Sequence, residues 1–428
     1  MPTLSPLPSR SSAHPGSTWM QALLEAFPPP QANPNDPQLS ERHAARLALE
    51  AAGLPGKQEE AWRFTDLSCL TQIPPRPIPA APTHDPSSLA AAPHTWRLPL
   101  ESWSSDSQLL WPEGIEPLEG ADLEAHLGEA LAATGTAPYW TVALTSAIAQ
   151  DVLALRIRPG VSTCLELVSN GEERAGVQPH RLLLVLEEGA SLDLLQVHRA
   201  SGPSLTSVVL EVQLKRKATL RHGLLAHGGA SSALLAVTAV SQSPGSHYAH
   251  TSLCSGWGLA RQEPVILQRA GQATTQLRGL HWVRDRQIAD THSRVRFAGP
   301  EGKLDQVHKV VAEGEGHSVF NGCIQVPQTA QRTDASQLSR SLLLSERARI
   351  DTKPELEIVA DDVRCRHGAT ISRLQQNELF YLQSRGIEAA QAAKLLLRSF
   401  CQEVVSQLPQ PAQDWNPLAT MFTEGPRP

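Results

Sequence analysis

Leu182-Leu183-Leu184-Val185-Leu186, Leu192-Asp193-Leu194-Leu195-Gln196-Val197 and Val208-Val209-Leu210-Glu211-Val212-Gln213-Leu214 follow one another through short Gly-containing or charged turns. Short aliphatic runs of period two, bounded by such turns, read as β-strands. The pattern starts near residue 150 and holds for roughly 220 residues, long for one sandwich. A loose phrase recurs within it: Gly189-Ala190-Ser191-Leu192, Lys217-Ala218-Thr219-Leu220, Arg347-Ala348-Arg349-Ile350 and Gly368-Ala369-Thr370-Ile371. Its intervals are unequal. Small Ala at a corner lets the next rung sit close, so the recurrence favours a stacked β-solenoid, while an irregular sandwich stays open.

Outward from these strands the texture changes. Of the 34 prolines, 20 fall before residue 121 and seven between 161 and 400, so two architectures are expected. In the first part helical patterns at Trp19 to Phe27, Leu39 to Ala52 and Ala121 to Ala133 alternate with breakers such as Phe27-Pro28-Pro29-Pro30 and Ile73-Pro74-Pro75-Arg76-Pro77-Ile78-Pro79. They read as small helices on PPII-like tethers. Beyond the strands, Asn377 is expected to cap the turn Glu378 to Leu382 and Gly386 to end it. A longer helix then spans Glu388 to Leu408, with Leu397, Phe400, Cys401, Val404 and Leu408 on one stripe, and Pro409 and Pro411 are expected to stop the last regular element. The division is therefore 1–140, helical and Pro-rich; 141–372, the β core; and 373–428, helical.

Composition narrows the functions. Apolar residues at 41% of 428 exclude wholesale disorder. With 37 Lys+Arg against 43 Asp+Glu the net charge is -6, which leaves no basic footprint for nucleic acid or anionic lipid. No run approaches the roughly 18 apolar residues of a membrane span, and Leu182 to Leu186 is soon followed by Glu187 and Glu188. The first 18 residues lack an apolar h-region and read as a disordered lead-in, a transit peptide being the alternative to this reading. The six cysteines are widely spaced, which points to reduced thiols in the cytoplasm, or in a plastid stroma.

No Walker loop, dinucleotide fingerprint, nucleophile elbow or His-Glu-x-x-His helix occurs. Asp361 and Asp362 resemble a glycosidase pair in composition only, because neighbours on a strand point to opposite faces; they read as a turn between rungs. The most specific group is Val363-Arg364-Cys365-Arg366-His367-Gly368-Ala369-Thr370. On a strand, Val363, Cys365 and His367 share one face, expected to be the less solvated, and Arg364 and Arg366 the other. A thiol and an imidazole at i and i+2 can form half a site for iron, zinc or an iron-sulfur cluster. The plain alternative is a buried Cys beside a hydrogen-bonded core His.

These residues carry a family resemblance. Ala330 to Gln337, Ser341 to Ser345, Ile350-Asp351-Thr352-Lys353-Pro354-Glu355-Leu356-Glu357-Ile358, Ala360 to Val363, His367-Gly368-Ala369-Thr370 and Glu378-Leu379-Phe380-Tyr381-Leu382-Gln383-Ser384-Arg385-Gly386-Ile387 together resemble the SufB/SufD family of iron-sulfur cluster assembly scaffolds. The Asp-Asp-Val-x-Cys-x-His-Gly-Ala-Thr form is similar to SufD, where SufB typically reads His-Glu-Ala-Thr. Glu59-Glu60-Ala61-Trp62-Arg63-Phe64-Thr65-Asp66-Leu67 is similar to a phrase near SufD N-termini. One departure stands at Arg296-Phe297-Ala298-Gly299-Pro300, where the family leads us to expect a His before the Pro.

The resemblance implies a mainly β fold, a right-handed parallel β-helix core with helical N- and C-terminal regions. It implies a non-catalytic scaffold that forms a heterodimer with a SufB-like subunit and docks a SufC-like ATPase on the C-terminal helices, through Glu378, Phe380, Tyr381, Arg385 and Phe400. A homodimer in isolation is a further option. Cys365 and His367 become the iron or cluster candidates at the SufB interface. No cofactor is expected to stay bound to the lone chain, iron or a cluster being transient in the complex; a flavin has no local motif. Two rivals remain: a SufB-like subunit carrying the cluster itself, and a β-solenoid polysaccharide enzyme, which would need exposed aromatics that a 4% aromatic content does not favour.

Overall fold

The computed structural model describes residues 15–29, 37–79, 90–92, 95–100, 109, 111–171 and 173–423. From Val152 to Ser372 the chain winds as a parallel β-solenoid. Successive strands alternate between two sheets, so each pairs with the strand two further on. Among the described residues one sheet has ten strands and the other nine. In-register stacking builds columns: Leu192, Leu220, Tyr248, Thr275, Leu304, Ala335 and Cys365 lie one above another. One turn takes about 30 residues, within the range of solenoid repeats.

The corners explain the unequal phrase. Thr219 N–H donates to the Ala190 carbonyl, His247 to Ala218, Thr274 to Ser246 and Lys303 to Ala273, so small buried residues recur where one sheet passes to the other. Only the first two of the four phrases occupy this corner. Ala348 sits at the opposite corner, before Arg349–Ile358, and Gly368-Ala369 lies inside the strand Arg364–Ser372.

Inward-facing side chains are chiefly Leu, Val and Ala, buried in one continuous core. The interior is not wholly apolar. His180, His198, His222, His250, His281 and His308 are all buried. His222 Nε2 donates to Gln196 Oε1 at 2.8 Å, and its Nδ1 lies 3.1 Å from both the Tyr248 hydroxyl and His250 Nδ1. His281 lies 3.1 Å from the Ser318 hydroxyl and 3.0 Å from that of Thr291.

Helices cover the outer faces. In the N-terminal region, α1 (Pro15–Ala26) and α2 (Pro37–Ala52) join α5 (Trp140–Ile148) on the nine-stranded sheet, where Trp19, Leu23, Phe27, Leu49 and Ile148 meet Val177, Leu205, Leu235 and Leu259. The pattern expected as one helix at 121–133 is two, α3 (Gly120–His126) and α4 (Glu129–Thr134), because Gly128 adopts φ 79° between them. The region does more than tether. Thr95–Pro99 and Ile115–Pro117 add strands to the sheets, and within the Pro-rich run Ile78 N–H donates to the Val177 carbonyl. Of the disordered lead-in expected over the first 18 residues, Pro15 to Thr18 instead belong to α1, and residues 1–14 lie outside the described residues.

At the other end, α6 (Gln376–Ser384) and α7 (Ala389–Val405) follow the last strand. Gln375, not Asn377, occupies the N-cap position of α6, and Gly386 follows its end with φ 82°. The α7 stripe packs on the ten-stranded sheet, Leu397, Cys401 and Val404 against Leu253, Leu280, Trp282 and Val311. Lys309, buried on that sheet, donates from Nζ to the Phe400 carbonyl at 2.9 Å and pairs with Glu403. Pro409 and Pro411 do not end regular structure as expected. A 3-10 turn (Gln410–Trp415) that contains Pro411, and then α8 (Pro417–Thr423), follow Pro409, because a proline in the first turn of a helix forfeits no intrahelical hydrogen bond. Among the described residues no helix is long and apolar enough to cross a membrane.

Candidate functional site

The solenoid ends at Arg349–Ile358 in one sheet and Arg364–Ser372 in the other, each the outermost strand with one edge unpaired among the described residues. Here the inward column meets solvent instead of another rung. Cys365 stacks on Ala335 and His367 on Gln337. Cys365 is half-buried and packs on the interior core, while Arg364 and Arg366 are exposed on the opposite face, as alternation requires. His367 is exposed. That corrects two expectations: the face is not less solvated at His367, and the imidazole is not a buried core histidine, because no coil follows to cover it.

Burial first, and then Asp334, raise the Cys365 thiol above its ordinary range, so in the lone chain it is held as the thiol. Among the described residues no three His, Cys, Asp or Glu side chains group to hold a metal ion. Cys365 and His367 thus present a thiol and an imidazole on one edge. Asp361 and Asp362 sit in the turn before this strand. The Asp362 N–H donates to the Gln331 side-chain oxygen at 2.9 Å, and its carbonyl accepts from Arg332 N–H at 2.6 Å, so the two acids form a turn and not a facing pair.

The second candidate surface is α6. Phe380 is 71% exposed and Tyr381 58%, large apolar areas on a helix that buries none of its own residues. Glu378 and Arg385 are exposed beside them, and the Arg385 guanidinium lies 5.2 Å from the Tyr381 ring centroid. Phe400 differs from these four. Its ring covers the Lys309 amine at 4.4 Å and packs with the sheet, so it belongs to the seam that holds α7.

One functional feature escaped the sequence reading. The run Glu59 to Leu67 does not merely mark an N-terminus; it plugs into the outer face of the nine-stranded sheet. Trp62 lies over the Arg261 guanidinium at 3.9 Å, and Thr65 donates its hydroxyl to Asp290. Arg261, 1% exposed, bridges Asp290 at 2.6 Å and Glu263 at 2.9 Å, and Thr141 of α5 donates to Glu263 at 2.6 Å. Burial opposes ionisation of Asp290, but Arg261 and His292 outweigh it and hold the carboxyl far below the usual range. The signal was there: Arg261, Glu263 and Asp290 are charges inside strand patterns. They face outward, where a strand reading expects solvent and not a second layer.

Comparison with known proteins gives the chain a family. Residues 167–400 match the core domain described as SUF system FeS cluster assembly, SufBD core domain. An iron-sulfur cluster assembly SufBD family protein of Synechocystis is 31% identical over 405 residues, covering 87% of each chain. The iron-sulfur cluster assembly protein SufD of Escherichia coli is 28% identical over 84% of this chain and 86% of its own. A chloroplastic protein of Arabidopsis thaliana, ABCI7, is 36% identical over 55% of this chain and 51% of its own.

Proposed function

The chain belongs to the SufBD family of iron-sulfur cluster assembly proteins, and from that premise we propose that it is a SufD-type scaffold subunit without catalytic chemistry of its own. In this reading it works in the cytoplasm, pairs with a SufB-like subunit through the open end of the solenoid and carries a SufC-like ATPase on α6. Iron and sulfide are cargo of the assembled complex. One observation carries the proposal: Cys365 and His367 stand together on the inward face of the last rung, beside the unpaired edges of Arg349–Ile358 and Arg364–Ser372. An extended edge of this kind recruits another sheet. The joint would place a second chain's donors opposite this thiol and imidazole. Gly368 after His367, where SufB typically reads Glu, supports the SufD-type assignment.

The test is co-expression with SufB-like and SufC-like subunits, then size exclusion with iron and sulfide analysis. His367→Ala should leave the complex assembled and deprive it of cluster. Cys365→Ala should do less, because partner thiols can substitute. An assembled His367→Ala complex that matures clusters normally overturns the assignment.

A further inference from the structure

We propose that Gln337 is a positioning residue for His367, holding its imidazole in one tautomer with one ring nitrogen free to face the partner. The inference rests on the reading of His367 given above. Gln337 stacks directly beneath His367 in the inward column of the ten-stranded sheet and is 2% exposed. Its Nε2 donates to Gln306 Oε1 at 3.0 Å, and Gln306 Nε2 donates in turn to the Ser293 hydroxyl at 2.7 Å across the interior. The amide is therefore anchored from the coil below. Among the described residues its Oε1 has no partner although it is buried, an expensive state for a strong acceptor.

The packing keeps that state in place. A Cβ on Gly322 would stand 2.3 Å from Gln337 Nε2, so glycine there makes room for the amide. Ser339 and Ser341 also carry buried hydroxyls without partners, but they stack beneath Ala369 and Ile371, which have no polar side-chain group to offer. Among the described residues of this column face, Gln337 is the unsatisfied group that lies under a ring able to answer it. A neutral imidazole donates from one nitrogen only. When that N–H is given to Gln337 Oε1, the other nitrogen keeps its lone pair for a metal or a sulfur species, the arrangement by which a neighbouring carbonyl oxygen orients a ligating histidine. Gln337 touches no cargo; it acts through the ring.

The test uses the full chain, labelled with 15N-histidine, with the His367 signals assigned by comparison with His367→Asn. At alkaline pH, where imidazoles are neutral, the wild-type chain should favour one His367 tautomer by roughly five- to tenfold over the ratio in an unfolded control, as a hydrogen bond of ordinary net strength imposes. Gln337→Met, of similar volume, should return the ratio to that of the control; Gln337→Glu, which keeps an acceptor, should retain the preference; Ser339→Ala should change nothing. In the assembled complex Gln337→Met should slow cluster formation by roughly tenfold or more. A wild-type His367 with the control's tautomer ratio overturns the proposal without any variant having to fold, as does an unchanged ratio in Gln337→Met. A normal tautomer effect, with cluster formation indifferent to His367→Ala, would instead overturn the function reading and leave the positioning contact standing.

Discussion

Acidification from pH 7.5 to 5.5 should destabilise this protein steeply, and the interior imidazoles set the size of the effect. Burial lowers His180 from 6.5 to about 3, and His198, His250 and His281 to about 4; it lowers His222 and His308 well below their ordinary value too. Each therefore stays neutral in the folded chain at pH 5.5, while in the unfolded chain it protonates below about 6.5. The unfolded state then binds more protons, so stability is complete above pH 6.5 and is lost as pH falls toward 4. One unit below the unfolded value each imidazole gives up between about 1 and 1.5 kcal/mol, on the order of 5 kcal/mol for the four with stated values. That is a large share of the 5–15 kcal/mol typical of a folded domain. Asp290 and Asp66 are held below their ordinary values and titrate at lower pH, whereas burial raises Glu211, whose protonation in the folded chain opposes the histidine effect and offsets part of the loss.

The measurement is guanidinium unfolding at pH 7.5, 6.5 and 5.5, with imidazole NMR on the folded chain. Neither ring nitrogen of His198 has a hydrogen-bond partner among the described residues, so His198→Leu should cost little at pH 7.5 and remove one proton from the slope. A loss below about 1 kcal/mol between pH 7.5 and 5.5, or interior imidazoles titrating near 6, would refute the reasoning.

Three further outcomes follow from single contacts. Arg261→Met should destabilise by about 3 to 5 kcal/mol in chemical denaturation, because it strands Asp290 and Glu263 as buried charges, whereas Asp66→Asn nearby, on an exposed pair with Lys57, should cost about 1 kcal/mol or less. Lys309→Met should cost about 1 to 3 kcal/mol and hasten proteolysis at α7, since the Phe400 carbonyl loses its donor while the exposed Glu403 can turn to water. Replacing Phe380 and Tyr381 together with Ala should leave the melting temperature unchanged and weaken ATPase capture at least tenfold; unchanged capture would move the dock elsewhere.

How much was legible differs by element. The solenoid could be read because period-two strands, short turns and small corner residues are local signals, and Ala190 and Ala218 mark adjacent coils. The other two phrases misled because a four-residue likeness cannot tell a corner from a strand interior. The histidine interior was not legible: a His at an alternating position looks the same whether it faces solvent or core, and only the register stacks His222 on Leu194, within hydrogen-bond reach of Gln196, and His250 on His222. The exposure of His367 escaped for a related reason. Alternation gives the face of a residue, but whether that face is covered depends on whether another coil follows.

That last point links fold and function. In a solenoid each coil covers the polar and apolar groups of the one before, so the inward face of the terminal coil is covered only where a cap or another chain closes the end. Elsewhere that face carries chiefly aliphatic side chains with a few polar ones; at this end it carries a thiol, an imidazole and, one rung below, the Gln337 oxygen, unpartnered among the described residues. A cap evolved only for stability would put a helix or a charged loop there. Here α6 and α7 leave the end and fold back toward the ten-stranded sheet, and α7 buries its stripe on that outer face, so the last rung keeps its donors. On the proposed function, a site completed only when a second chain closes the end would tie chemistry to assembly: in the lone chain His367 is exposed and the half-buried Cys365 is held as the thiol.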